Sequence, residues 1–285
     1  MAVDPIYVSA RAVLLDALQA LGEQVDGVVV VGAQAIYLRT GDLQLRTAAY
    51  TTDADFALAP LKLLNEPHLD VALRAAEFYQ GSDPGIWFKR VEVGGVSRAI
   101  EVDLMVPSGF ASREGRRAAR IPPHDRNTAR KVDGLEAALV DHDRIIIPSL
   151  DGDGRGFAVR VAGPAALLVA KAFKIIDRLS DAAEARILNK DAEDVFRLML
   201  AMSIADVEQR LIGLLTHEVA GPPCRQGLTW LGELFGVRAG RGIAMAALSL
   251  EGDTPIERIA DVCIPFAKSL AELVDGPPSA PSRRT

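Results

Sequence analysis

The sequence predicts an α+β protein with a mixed β-sheet and flanking helices in its N-terminal half and an all-helical C-terminal half. Two observations support this class. Short apolar runs bounded by glycine turns, which are typical of strands, alternate with helical apolar spacing up to residue 162. Beyond that residue only helical spacing recurs, so strands and helices are largely segregated along the chain.

Each element at the start of the chain has a local signal. Apolar residues at helical spacing predict a helix over 9–21 that stops at Gly22. The four consecutive valines of 28–31 predict a buried strand. The turn at Gly32 then leads into a short helix over 34–38.

The middle of this half continues the alternation. We predict a strand over 51–58 and a helix over 67–80 with Asn65 as its N-cap. The glycine pair at 94–95 predicts a two-residue hairpin turn, because glycine readily adopts the positive φ that such turns require. The strands of this predicted hairpin are 86–93 and 96–106.

The C-terminal half shows a series of amphipathic helices. Pro164 suits a first helical turn, and apolar stripes recur at helical spacing from there to residue 273. We therefore predict one domain over 1–162, a helical domain over 163–275 and a disordered Pro- and Ser-rich tail over 276–285. The predicted helices cover 165–179, 191–202, 204–215, the region 227–250, and 255–273.

Composition argues against several classes of protein. The net charge of −6 does not favour nucleic acid as a bulk partner. The two cysteines lack metal-ligand spacing and the four histidines are scattered, so we expect no zinc site, and a reducing cytoplasm fits. We see no basic and apolar leader and no apolar run near the ~20 residues that span a bilayer, so we expect neither a secretory signal nor a membrane segment.

The predicted strand over 51–58 carries the most informative motif. Side chains at i and i+2 of a strand point to one face, so Asp53 and Asp55 project together while Ala54 and Phe56 face a core. Two carboxylates on one face repel each other unless a cation lies between them, and such oxygen ligands suit Mg²⁺. The alternative is the solvated face of an edge strand, where charges prevent aggregation.

The second strand of the hairpin repeats this pattern with Glu101 and Asp103. If it lies beside the first acidic strand, a third carboxylate completes a two-metal site for phosphoryl or nucleotidyl transfer. We expect Asp103 to be that carboxylate, because it runs into the apolar end of the strand. Glu101 lies nearer the glycine turn and Arg98, where an exposed ion pair is the simpler explanation.

Basic residues cluster between 107 and 131. This segment is either a solvated linker or an electrostatic arm for the phosphates of an NTP or an RNA, which arginine binds well through bidentate geometry. Its cations are Arg113, Arg116, Arg117, Arg120, Arg126, Arg130 and Lys131.

The helical half has a polar signal of its own. Lys171 and Arg178 lie seven residues apart on one helix face, and the run from Lys190 to Asp194 opens the next predicted helix. An acidic first turn complements the helix dipole by itself, and a lysine on an apolar helix can extend its amine to solvent. A structural role and a functional role are both open for these residues.

Together these motifs resemble the nucleotidyltransferase-fold toxins of the AbiEii type, including the mycobacterial MenT toxins, whose catalytic core is similar to that of DNA polymerase β. The family pattern has a G-S or G-G turn after the first strand, T-x-D-x-D, a K-x6-R helix and an R/K-D-x-x-D helix start. The matching residues are Val31-Gly32-Ala33-Gln34-Ala35, Thr51-Thr52-Asp53-Ala54-Asp55, Lys171 to Arg178, and Lys190 to Asp194. The resemblance covers about residues 25 to 200, and Ala33 stands where the family commonly has serine.

The resemblance implies an enzyme with two Mg²⁺ ions that transfers a nucleotide from an NTP to an acceptor hydroxyl. It further implies a cytoplasmic toxin of a toxin–antitoxin pair, with the 3′ end of tRNA as acceptor and a cognate antitoxin as partner. The implied catalytic residues are Asp53, Asp55, Asp103, Lys171 and Asp194, of which the first three hold metal. The implied nucleotide-binding residues are Gly32, Ala33, Thr51, Thr52, Lys171 and Lys190.

Two other functions stay open. A small-molecule nucleotidyltransferase of the antibiotic-modifying kind shares the same core. A catalytically weak nucleotide-binding module is compatible with Ala33 in place of serine. For phosphate binding, backbone N–H groups at the Gly32 turn remain available, and either Arg39 or Arg46 is a further candidate.

Overall fold

The computed structural model describes residues 4–41, 51–112, 117–179 and 185–275. These residues form two compact units, one ending at Leu167 and the other beginning at Leu168. The described residues of the first unit contain every strand, and those of the second are helical. The predicted α+β class is therefore confirmed. The predicted tail over 276–285 lies outside the described residues, as do Arg46, Arg113 and Arg116.

Nine strands form one mixed sheet in the described part of the first unit. They are β1 (Val28–Val31), β2 (Asp53–Leu58), β3 (Tyr79–Gln80), β4 (Ile86–Val93), β5 (Val96–Pro107), β6 (Ala118–Ala119), β7 (Ala129–Val132), β8 (His142–Pro148) and β9 (Gly156–Ala162). The main path runs β3-β4-β5-β2-β1-β9-β8, and β7 joins β5 to β6. The pairs β1–β9, β2–β5 and β5–β7 are parallel, whereas the other pairs are antiparallel.

Helices flank this sheet and continue through the second unit. They are α1 (Pro5–Leu21), α2 (Gly32–Thr40), α3 (Leu69–Ala75), α4 (Pro164–Leu179), α5 (Ala185–Ala201), α6 (Ile204–Thr216), α7 (Gly221–Phe235), α8 (Arg241–Ser249) and α9 (Ile256–Asp275). Helix α1 begins at Pro5 because the Asp4 carboxylate accepts a hydrogen bond from the Ile6 N–H at 2.8 Å and so caps the first turn. Its apolar stripe packs against α3, β2, β4 and β5.

The predicted hairpin is confirmed. Strands β4 and β5 pair antiparallel from Val93 opposite Val96 to Ile86 opposite Asp103. Gly94 and Gly95 occupy the turn with φ of 58° and 79°, the left-handed region that favours glycine. Strand β5 then extends beyond β4, and its last residues pair with β7.

The predicted helix over 67–80 is wrong in extent, and Asn65 does not cap it. Helix α3 covers only Leu69–Ala75, with His68 at its N-cap position and no side-chain cap. Glu77 ends the helical path at φ 66°. The chain then enters β3, where the Tyr79 ring stacks on Phe88 of β4 at 5.7 Å. Sheet pairing of aromatic residues therefore overrides the alanine- and leucine-rich helical pattern.

The predicted start of a helix at Lys190 is also wrong. Helix α5 begins at Ala185, so Lys190 and Asp191 lie within the helix and not in its first turn. A helix-dipole role for an acidic first turn is therefore excluded for Asp191. None of the helices in the described ranges is long and apolar enough to cross a membrane.

Candidate active site

Strand register brings four acids together on one face of the sheet. Strands β2 and β5 run parallel, with Asp53 opposite Glu101 and Asp55 opposite Asp103. The intervening Ala54 is fully buried on the opposite face, as strand parity predicts. Because β2 lies between β1 and β5, the alternative of an edge strand is wrong. We call Asp53, Asp55, Glu101 and Asp103 the acidic strand pair.

A buried polar network fixes the start of β2. The Gln34 side chain donates through Nε2 to the backbone oxygen of Asp53 at 3.0 Å and to that of Ala10 at 3.2 Å. Its Oε1 accepts from Arg11 Nε at 2.9 Å. Gln34 and Arg11 are both buried, so α1 and α2 hold the backbone at Asp53 through hydrogen bonds shielded from water.

The two threonines before β2 bond locally to Asp53. Thr52 Oγ1 donates to Asp53 Oδ1 at 2.8 Å. The backbone N–H of Asp53 donates to Thr51 Oγ1 at 3.3 Å, and Thr51 is buried. Both predicted nucleotide-binding threonines therefore lie beside the first aspartate, Thr52 bonded to its carboxylate and Thr51 to its backbone N–H.

The Asp55 carboxylate lies directly against the Gly32 turn. A Cβ placed on Gly32 would lie 1.9 Å from Asp55 Oδ2, and Gly32 has φ +68°. Val31 pairs with Asp55 across β1 and β2, so the register itself produces this contact. Glycine is thus required here both by the backbone conformation and by the close approach of a carboxylate. Helix α2 begins at this turn, and its N-cap residue, Val31, makes no side-chain capping hydrogen bond.

Asp103 is buried and held by Arg130 of β7. The Arg130 Nε lies 2.9 Å and 3.1 Å from the two carboxylate oxygens of Asp103, and Arg130 Nη2 also donates to Oδ2. The Asp103 side chain is 5% exposed and that of Arg130 is 36% exposed. This bidentate pair makes Arg130 the direct counter-ion of the residue predicted to be the third metal ligand.

Glu101 differs from the sequence-based expectation. No ion pair between Glu101 and Arg98 exists in the described residues, and Glu101 is half-buried. Burial raises the pKa of Glu101 to about 7, and the negative charges of Asp53, Asp103 and Asp55 add to the effect. The predicted exposed ion pair is therefore wrong, because register places Glu101 among the other acids.

The acidic strand pair fits Mg²⁺ in part. Asp53 and Asp55 offer carboxylate oxygens on one face, and Mg²⁺ commonly binds through one or two carboxylates together with waters and substrate phosphates. Asp103 does not join them in this arrangement, because Arg130 holds both of its oxygens. Over the described ranges, no group of three or more His, Cys, Asp or Glu side chains is arranged to hold a metal. The role of Asp103 as a ligand stays a prediction.

Most of the predicted basic segment divides into two kinds of residue. Arg130 is the counter-ion of Asp103, and Lys131 Nζ donates to the backbone oxygen of Ser112. Arg117, Arg120 and Arg126 are exposed. The electrostatic-arm interpretation therefore applies to those three arginines and not to Arg130.

Arg39, one of the two further phosphate candidates, has a structural position. It donates through Nε to the backbone oxygen of Ala162 at 3.0 Å and through Nη2 to that of Val161 at 2.7 Å. Its Nη1 lies 2.6 Å from the Asp143 carboxylate. These bonds connect α2 to β9 and β8 and engage the guanidinium on three sides.

In the helical unit, Lys171 lies at the centre of a buried ion cluster. Its Nζ lies 2.6 Å from Asp191 Oδ1 and 2.6 Å from Asp194 Oδ2, and Arg178 Nη1 lies 2.7 Å from Asp191 Oδ2. Burial alone would lower the pKa of Lys171, but the charges of Asp191 and Asp194 outweigh it and raise that pKa. We call Lys171, Arg178, Asp191 and Asp194 the helical ion cluster.

The helical ion cluster accounts for the spacing of the Lys171–Arg178 and Asp191–Asp194 motifs. Asp191 and Asp194 lie three residues apart on α5 and both face the lysine. Lys190 is half-buried on the same helix. The predicted contacts of Lys171, Lys190 and Asp194 with nucleotide stay predictions, since the bonds described here lie within the helical unit.

The chain also matches a known family. A family model described as a nucleotidyltransferase covers residues 10–209, which is more than half of the 285-residue chain. This chain belongs to that nucleotidyltransferase family. The predicted enzyme class is therefore confirmed. Comparison with curated proteins and with solved structures gave no match.

Sequence reasoning missed two functional features of this nucleotidyltransferase. Gln34 gave no signal, because a glutamine in a short helix is ordinary on a surface, yet it is buried beside Asp53. Arg130 was grouped with the exposed arginines of its segment. No signal for its pairing exists in the sequence, since Arg130 lies in the short strand β7 and reaches Asp103 only through the register of β7 beside β5.

Replacing Gly32 with alanine should displace Asp55. The new Cβ would overlap Asp55 Oδ2 and would sit at φ +68°, so we expect the free energy of unfolding to fall by about 1–3 kcal/mol and nucleotide transfer to be lost. Gly213→Ala is the matched control, because that site on α6 is exposed and has nothing within 4 Å of an added Cβ. Urea denaturation and a transfer assay report both effects. Wild-type transfer by Gly32→Ala would contradict the close contact.

Glu101→Gln should stabilise the metal-free nucleotidyltransferase more at pH 8 than at pH 5. The folded pKa of about 7 exceeds the usual value of 4.5, so between these values the native state binds more protons than the unfolded state. The contribution of Glu101 to stability is thus lost as the pH rises through that interval. Urea denaturation with chelator at both pH values measures the difference, with Glu92→Gln on β4 as an exposed carboxylate control. A difference that shrinks with rising pH would refute the expectation.

Lys171→Met should destabilise the helical unit. It leaves Asp194, which is 1% exposed, without its cation, while Arg178 still pairs with Asp191. We expect a loss of about 3–5 kcal/mol in unfolding free energy. Lys174→Met is the control, because its side chain is 47% exposed and 3.8 Å from Asp191, and its loss should be below about 1 kcal/mol. Wild-type stability with lost transfer would instead assign Lys171 to substrate.

Proposed function

We propose that this nucleotidyltransferase transfers a nucleotide from an NTP to an acceptor hydroxyl with Mg²⁺, and that it acts as the toxin of a toxin–antitoxin pair. The observation that carries the transfer reaction is the contact of the Asp55 carboxylate with the Gly32 turn at the N-terminus of α2. This contact places a candidate metal ligand beside a candidate phosphate-binding turn. Family membership supports the same reaction class.

In this proposal Asp53 and Asp55 hold divalent metal, and Asp103 joins them as the third carboxylate. When bound, Mg²⁺ ions would stabilise negative charge on the phosphates and favour the deprotonated acceptor hydroxyl. Thr52 keeps Asp53 oriented through its 2.8 Å hydrogen bond, and Gln34 fixes the backbone below it. These supporting bonds hold the carboxylates in place before substrate arrives.

The triphosphate would contact the backbone N–H groups of the Gly32 turn and of Ala33 at the start of α2. A helix N-terminus favours phosphate through its backbone N–H groups and its dipole, and the N-cap residue of α2, Val31, makes no side-chain capping hydrogen bond. This backbone donor set does not require the hydroxyl that Ala33 lacks. Lys171, Lys190 and Asp194 keep their predicted nucleotide contacts as part of this proposal, with the Lys171 variants as the test.

The proposed acceptor is the 3′ end of tRNA, and the proposed partner is a cognate antitoxin. Exposed Arg117, Arg120 and Arg126 support an RNA acceptor, since they provide cations for phosphates despite the net charge of −6. The likeness of the motifs to AbiEii-type toxins supports the antitoxin. Cys224 and Cys263 are buried and are not joined in a disulfide, which fits the proposed cytoplasmic location.

A transfer assay with labelled NTPs tests this function. The purified protein is incubated with Mg²⁺ and each labelled NTP, together with total RNA or with a panel of aminoglycosides. We expect label in the tRNA band, and expression of the chain without an antitoxin should arrest growth. Label on the small molecules would favour the antibiotic-modifying alternative, and NTP binding without any transfer would favour the weak binding module.

Asp53→Asn should reduce transfer by at least about a hundredfold, because it removes a negatively charged ligand that the metal ions share. The fold should persist, since the asparagine oxygen can still accept from Thr52. Relief of repulsion with Asp55 and Glu101 should raise the melting temperature of the metal-free protein. Circular dichroism and the labelled transfer assay measure these outcomes. A folded Asp53→Asn protein with wild-type transfer would end the metal proposal.

A further inference from the structure

We propose that Arg130 is a resident counter-ion of the acidic strand pair, which a divalent cation must displace from Asp103 in order to bind there. This inference rests on the proposed metal-dependent function. It assigns Arg130 as a positioning residue, whose side chain exchanges places with the metal at one carboxylate.

The first step of the argument is the way in which Arg130 engages Asp103. The guanidinium donates to both oxygens of the carboxylate and contacts Met105 Sδ at 3.6 Å. A carboxylate held by a bidentate arginine has its oxygens directed at that guanidinium. A metal shared between Asp103 and Asp55, its partner in register, would therefore compete with the guanidinium for the same two oxygens of Asp103.

The second step concerns charge. Arg130 also interacts electrostatically with Asp55 and Glu101, so its charge acts on most of the acidic strand pair. A divalent cation bound to the aspartates would be repelled by a guanidinium at hydrogen-bonding distance from one of them. Arginine and metal are thus competitors for the same group of carboxylates.

The third step is that the backbone of Arg130 is fixed while its guanidinium is accessible to solvent. Gly85 has φ +82°, and a Cβ on it would lie 2.7 Å from the backbone nitrogen of Arg130. The backbone of β7 therefore packs closely against this glycine. Two residues earlier, the Thr128 carbonyl accepts from Trp87 Nε1 at 3.0 Å. The Arg130 side chain is 36% exposed, against 5% for Asp103. Once its hydrogen bonds to Asp103 break, the guanidinium can therefore turn toward solvent while the backbone of β7 keeps its position.

Competition of this kind makes a specific prediction about metal affinity. Arg130→Gln should raise the affinity of the NTP-free protein for Mn²⁺, a spectroscopic substitute for Mg²⁺, on the order of tenfold, within the usual range of coupling between two sites. In an Asp103→Asn background the same change should give no comparable gain, because the carboxylate in dispute is absent. Electron paramagnetic resonance of free Mn²⁺ measures these affinities without reference to catalysis.

Two controls separate exchange at Asp103 from a general effect of charge. Arg126→Gln removes an exposed cation from the same segment and should leave Mn²⁺ affinity unchanged. Arg130→Lys keeps the charge but loses the bidentate fork, so its affinity should lie between those of the wild type and Arg130→Gln. A gain of equal size in the Asp103→Asn background, or no gain from Arg130→Gln, would overturn the inference.

A second readout uses the wild-type chain and so does not depend on the folding of Arg130→Gln. In ¹⁵N-labelled protein the Arg130 Nε–H signal, assigned by its absence in Arg130→Lys, should exchange faster with water when Mg²⁺ is added. An unchanged signal at saturating Mg²⁺ would overturn the exchange. Mn²⁺ binding that needs Asp53 but ignores Arg130 would refute only this inference, whereas no Mn²⁺ binding by the wild type would refute the metal proposal as well.

Discussion

Repulsion among carboxylates is the constraint on which the sheet unit depends. The register of β2 against β5 places four acids on one face, and Arg130 forms a direct ion pair with one of them, Asp103. Burial, together with the negative charges of Asp53, Asp103 and Asp55, raises the pKa of Glu101 to about 7. A protein tolerates such a cluster at a cost in stability, and the cost is retained where the cluster has a chemical task.

The surrounding fold holds the acids in place against this repulsion. Gln34 joins α1, α2 and the backbone of Asp53 in one buried network, and Gly32 lets the Asp55 carboxylate approach the turn at the start of α2. Both constraints act on the two aspartates of β2 from the side of β1. Arg130 acts on Asp103 from β7. The two sides of the site are therefore fixed by different means. Buried hydrogen bonds and close packing hold the aspartates of β2, and the ion pair that we propose to be exchangeable holds Asp103.

Periodicity in the sequence was enough to predict what depends on local pattern. The strand over 28–31, the hairpin at Gly94–Gly95 and the shared face of Asp53 and Asp55 follow from β-branched runs, turn glycines and strand parity. Features that depend on contacts between distant segments were missed. The predicted helix over 67–80 is shorter in the structure because β3 pairs with β4. The ion pair between Arg130 and Asp103 joins residues that lie 27 positions apart in the sequence.

Both ionic centres combine carboxylates with basic side chains, but they differ in access to solvent. In the helical ion cluster, the side chains of Lys171 and Asp194 are only 7% and 1% exposed, so this ion pair is shielded from water. In the acidic strand pair, Asp53, Asp55 and the Arg130 head all reach solvent. A metal ion that arrives from water can compete only at the second kind of centre. Exposure of the counter-ion, more than the number of aspartates, therefore favours the sheet unit over the helical unit for the metal site that we propose.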